Sequence, residues 1–194
     1  MARTLRTTII LSLSILFPLI NLVFPPFPRN SLWKTLGYDP ELSRIYIYIF
    51  LLWILMAVFL IIAKKLQLKM KMIKHHKYKF TFFAAMTGIC FGIIFYGEVI
   101  AKPSLALFVL MIVSSLVEEY YFRGMLLSYF KKYGNIIQAS LFAVMHLRFS
   151  YLIAGYFLFG LFMGHLRKHG LFYPMLAHAI TNAVEFGILY VTFL

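Results

Sequence analysis

Seven apolar runs, separated by short gaps, limit what this 194-residue chain can become. A transmembrane helix needs roughly 20 mainly apolar residues, within a range of about 17–25. Runs at 7–24, 45–63, 80–100, 104–127 and 171–194 reach that length, and shorter ones at 136–149 and 151–166 complete the set. Composition agrees, with 62% of residues hydrophobic and 13% charged, against about 25% charged in a soluble domain. A soluble globular domain, a disordered tail and a collagen-like chain are thereby excluded. The single cysteine, Cys90, excludes an intrachain disulfide framework and a cysteine-based zinc cluster. The expected fold is all-α, a polytopic transmembrane helical bundle of about seven spans, with residues 1–194 forming a single integral membrane domain.

Nineteen Lys and Arg against six acidic residues give a net charge of +13. In a soluble protein that balance would point to nucleic acid. Here the cations fill the gaps between apolar runs, so membrane topology explains them and no nucleic-acid partner is expected. With the N-terminus inside, thirteen basic residues fall on the inner side and five on the outer, as the positive-inside rule requires. The chain is therefore expected in the cell membrane, multi-pass, with a cytoplasmic N-terminus and the lipid bilayer as its surroundings. The first run follows Arg3 and Arg6 and enters Phe24-Pro25-Pro26-Phe27-Pro28 without a small-x-small cleavage site, so it reads as an uncleaved helix. The lysine-rich stretch 64–79 reads as a topology signal that could also touch anionic lipid. Gly88/Gly92 and Gly160/Gly164 have the spacing that allows close helix packing. No internal repeat and no soluble domain is evident, so any chemistry must lie within the bundle.

Ionisable side chains inside a span are costly and mark candidate sites. The run 104–127 contains Glu118, Glu119 and Arg123. On a helix Glu119 and Arg123 are four apart with the acid first, the favourable order for an ion pair. Glu118 lies about 100° further round and is left for another partner. The run 136–149 carries Phe142 and His146 one turn apart, and the last run carries His178 and Asn182 on one face with Glu185 close to it. At about 1.5 Å per residue, His178 lies about 10 Å from the inner end of its helix, and Asn182, His146 and Glu118 about 16–18 Å from theirs. All four can therefore meet at one depth.

A carboxylate beside an imidazole can activate water and shuttle its proton. A second His and an Asn supply donors for a developing oxyanion. Glu118, His146 and His178 equally form a set able to ligate zinc with one position open, and the residues alone leave both chemistries standing. Glu185 could orient His178 from behind. Other intramembrane chemistries fare worse. The only Asp is Asp39, in a loop, and neither His-Glu-x-x-His nor Gly-x-Ser-x-Gly occurs. Cys90 has no His or charge near it in sequence and reads as a packed thiol.

In these motifs the chain resembles the CPBP family, the CAAX-protease and bacteriocin-processing intramembrane endopeptidases, also called the Abi family. Its Glu-Glu-x-x-x-Arg motif is met by Glu118, Glu119 and Arg123, its Phe-x-x-x-His by Phe142 and His146, and its His-x-x-x-Asn by His178 and Asn182. The resemblance covers roughly residues 104–185 and implies a catalytic core there. By it, Glu118 and His146 activate the attacking water, His178 and Asn182 stabilise the oxyanion, and Glu119, Arg123 and Phe142 support the site. The implied activity is cleavage of a peptide or membrane-associated protein near the cytoplasmic leaflet, in bacteriocin or pheromone peptide processing or in self-immunity. The family is described both as zinc metalloproteases and as metal-free glutamate enzymes. The expectation adopted is water activation without a tightly bound metal, zinc on Glu118, His146 and His178 being the alternative. A compact, lysine-rich chain of this kind looks bacterial. The competing reading is a non-catalytic immunity or interaction protein that keeps the fold, although every expected catalytic position is filled here.

Overall fold

The computed structural model describes residues 40–65, 68, 70–73, 78–95, 103–146 and 152–194, together with Thr8 and Ser12. The described residues form helices and no strand. A chain this apolar must satisfy its backbone groups internally, and a helix does so segment by segment. Helix α1 spans Pro40–Lys65, α2 Tyr78–Ile94 and α3 Leu105–Glu119. Without a break, α3 passes through a π-helical segment, Tyr120–Leu126, into the single turn α4, Leu127–Phe130. A 3-10 turn at Lys131–Tyr133 precedes α5, Gly134–Met145, and α6 follows at Ile153–Leu166. A second 3-10 turn, Arg167–His169, leads into α7, Phe172–Thr192.

Among the described residues, two stretches are long and apolar enough to cross a membrane, Leu105–Phe130 and Phe172–Thr192, while Tyr78–Ile94 and Gly134–Met145 are apolar but shorter. The expected first span, 7–24, lies outside the described residues apart from Thr8 and Ser12. Helix α5 ends at Met145, short of the expected 149, and His146 becomes its C-terminal cap. Large apolar side chains point outward along α1 (Phe50, Trp53, Ile61) and α2 (Phe82, Met86, Ile93). Contiguous apolar surface of that kind suits a hydrocarbon surrounding rather than water.

Inside, Tyr121, Phe122, Phe142, Phe159 and Tyr173 form, with Met125, a largely aromatic core. Helix α7 packs most extensively on α2. The glycine pairs explain how closely the helices approach. A Cβ at Gly92 would sit 2.7 Å from Val184 Cβ, and one at Gly160 would sit 2.8 Å from Ala139 Cα. Thr181 Oγ1 donates to Ala177 O at 3.0 Å and to Gly88 O at 3.2 Å, so α7 is also hydrogen-bonded to α2.

One end of the bundle carries the cations. Lys64 and Lys65 close α1, and Lys71, Lys79, Lys132 and Lys168 are exposed beside them. The segment 70–73 is docked there, since Leu171 N donates to Lys71 O at 3.1 Å and Phe172 N to Met72 O at 2.9 Å. Phe80 and His169 stack with ring centroids 3.6 Å apart. Between these contacts Gly170 turns the chain at φ +140°, and a Cβ there would overlap Met72 O.

Candidate active site

Glu119 and Arg123 are fully buried, and Arg123 Nη1 lies 2.8 Å from Glu119 Oε1. That oxygen also accepts from His178 Nδ1 at 2.9 Å. One carboxylate therefore ties α3 and the π segment to α7. The Arg123 guanidinium lies over the Phe142 ring, 4.6 Å from its centroid. A buried cation on an aromatic face gains about 2 kcal/mol. Phe142 also meets the His146 ring at 4.5 Å and the His178 ring, edge-on, at 5.8 Å. Its place in the sequence motif is thus that of a spacer touching three polar residues at once.

Two helical irregularities shape the site. In α-helical register Leu127 N–H would donate to Arg123 O; here it donates one residue further back, to Phe122 O. Arg123 O instead accepts from Arg167 Nε at 3.0 Å. Arg167, only 6% exposed, sits in the turn between α6 and α7. Burial lowers its guanidinium from the ordinary arginine range. Sequence reasoning counted Arg167 only as an inner-face charge. No sequence signal set it apart, since Arg167 stands among His165, Lys168 and His169.

The second irregularity is at His146. Its own N–H donates to Ala143 O at 3.0 Å, which leaves Phe142 O for the ring Nδ1 at 2.8 Å. A carbonyl can only accept, so Nδ1 carries the proton and Nε2 of the neutral ring keeps its lone pair. The ring stacks on Tyr156 at 4.1 Å. The four-residue spacing of Phe142 and His146 thus has a backbone cause, the capping of a helix end.

Glu118, like Glu119, has a buried Oε2 with no hydrogen-bond partner. His178 lies within electrostatic reach of both Glu118 and His146. Asn182 faces a different stretch of α3 from Glu118. Its Nδ2 donates to Met111 O at 2.6 Å, about two helical turns before Glu118 on α3. A part-buried amide must find an acceptor, and this carbonyl, which Ser114 Oγ also reaches at 2.9 Å, faces it. Glu185 does not orient His178 through Nδ1, because Glu119 holds that nitrogen.

The zinc alternative meets the same geometry. Both histidines have Nδ1 engaged, which leaves Nε2 as the nitrogen a metal would take, but among the described residues no three His, Cys, Asp or Glu side chains converge on a metal position. Glu118, His146 and His178 as arranged do not fit a three-ligand zinc centre.

Comparison with known families assigns the same stretch of chain. Over residues 100–184 the chain is similar to a known protease family. The particular family matched over those residues is Rce1-like, described as type II CAAX prenyl endopeptidase Rce1-like, and all seven motif residues fall inside the match. Neither the curated proteins nor the solved structures give a match.

Proposed function

We propose that the protein is an intramembrane endopeptidase that hydrolyses a peptide bond in a peptide or membrane-associated protein near the inner leaflet. The observation that carries this reading is Glu118 Oε2, buried without a hydrogen-bond partner and within electrostatic reach of His178, while Nδ1 of both His178 and His146 is already committed. The Rce1-like match supports the protease class.

Glu118 accepts a proton from water as the water oxygen attacks the scissile carbonyl carbon. His146 Nε2 accepts a second hydrogen bond from that water and aligns it. His178 gives Nδ1–H to Glu119, so its Nε2 can donate to the oxyanion only as the imidazolium, with Glu119 as counter-charge. Asn182 gives an amide N–H to Met111 O, so its part in holding the same oxyanion requires the side chain to leave that carbonyl. When the C–N bond breaks, the leaving nitrogen takes the proton back from Glu118, and the carboxylate is restored. General acid–base work of this kind contributes about 10²–10⁴-fold, and an oxyanion donor about 10²–10³-fold.

The test uses the protein in bilayers of defined composition with a mixture of synthetic peptides, products being read by mass spectrometry. Wild type is expected to release discrete products, and Glu118→Gln to slow them by about 10²–10⁴-fold. Equal cleavage by Glu118→Gln would reject the assigned role. A folded wild type that cuts nothing, with an interaction phenotype intact in Glu118→Gln, would favour the non-catalytic reading.

A further inference from the structure

Among the described residues, Arg167 is the one buried cation that the proposed chemistry does not use. Its place in the fold follows from two observations made independently of each other. First, the shift from α to π register at Phe122–Leu127 takes from Arg123 O the N–H that a regular helix would give it. A buried carbonyl without a donor is unfavourable by about 1–3 kcal/mol. Second, Arg167 Nε, 44 residues further along the chain, supplies a donor to that oxygen at 3.0 Å. The turn that presents Arg167 is itself held firmly. Gly170 N closes it onto Arg167 O at 3.1 Å, and Leu171 N is tied to Lys71 O. Leu166 and Leu171 on either side are fully buried.

We propose that Arg167 is a positioning residue for the active site, clamping the π-helical segment in the register that aims Arg123 at Glu119. Arg123 then fixes Glu119 Oε1, and Glu119 fixes His178 Nδ1. The relay runs from the α6–α7 turn through a backbone carbonyl to the imidazole. Its catalytic consequence rests on the endopeptidase reading; the clamp itself does not.

A lysine at 167 keeps the positive charge on the same face but has no N–H at the Nε position. Charge-preserving substitution therefore separates a topology signal from a clamp. Arg167→Lys, Lys168→Ala and wild type are prepared in bilayers at matched amounts, and amide hydrogen exchange is followed across residues 120–130. The clamp predicts exchange there about five- to tenfold faster in Arg167→Lys, with α2 unchanged and Lys168→Ala like wild type. On a cleaved peptide, Arg167→Lys should lower kcat by roughly tenfold to a hundredfold, as small misplacements do, with KM within about twofold. Wild-type exchange in Arg167→Lys would overturn the clamp, whatever the activity. Faster exchange with unchanged kcat would overturn the positioning role. Faster exchange in a protein that cleaves nothing would uphold the clamp and count against the endopeptidase alone.

Discussion

Oε1 of Glu119 is ion-paired with Arg123 in its own helical stretch and accepts from His178 Nδ1 on α7, so removing either partner changes the environment of the other. Arg123→Met leaves a fully buried carboxylate facing only His178. Breaking a buried pair from one side costs about 3–5 kcal/mol, and we expect the variant to accumulate poorly and unfold at lower temperature. Glu119→Leu combined with Arg123→Met removes both charges and should recover accumulation. Cleavage should stay lost, because His178 then has no acceptor for Nδ1. Recovery of both accumulation and cleavage in the double variant would contradict the role given to Glu119. A second expectation concerns metal. Since Glu118, His146 and His178 do not converge on a metal position, cleavage should persist after exhaustive chelation; loss on chelation with recovery on added zinc would refute this.

The elements show where sequence reasoning reached and where it stopped. The ion pair of Glu119 and Arg123 was legible because four-residue spacing places both on one helix face, and their contact survives the change to π geometry. The π segment itself was not legible. Polarity patterning reports which face is apolar, whereas a register shift depends on a donor, Arg167, that arrives from another part of the chain. His146 was expected inside a span and instead caps α5. An apolar run cannot reveal that the chain bends at its polar residue. Asn182 was placed by depth alone, and depth does not say which carbonyl an amide will face. The turn before α7 gives a third prediction. Gly170 adopts φ +140° against the backbone of Met72 and Ile73. Gly170→Ala should lower stability by more than about 1 kcal/mol, read as a reduced midpoint of thermal unfolding; an unchanged midpoint would mean that the 70–73 segment is not held as described.

Across the whole molecule, apolar side chains on α1 and α2 face outward while the exposed lysines gather at one end. That asymmetry predicts orientation. In a Cys90→Ser background, Lys71→Cys and Lys168→Cys should react with a membrane-impermeant maleimide in inside-out vesicles and be protected in intact cells. Labelling of intact cells would reverse the topology and move the site to the outer leaflet. Glu118 and Glu119 each leave Oε2 without a hydrogen-bond partner, but Oε1 of Glu119 is held by Arg123 and His178, and the proposed chemistry assigns the proton transfer to Glu118. The decisive measurement is a mass-spectrometric profile of new peptide termini in the native host, comparing wild type with Glu118→Gln and His146→Ala at matched membrane levels. The account predicts a set of termini present in wild type and missing from both variants. The same termini in all three would show that cleavage does not pass through these residues, and would contradict it.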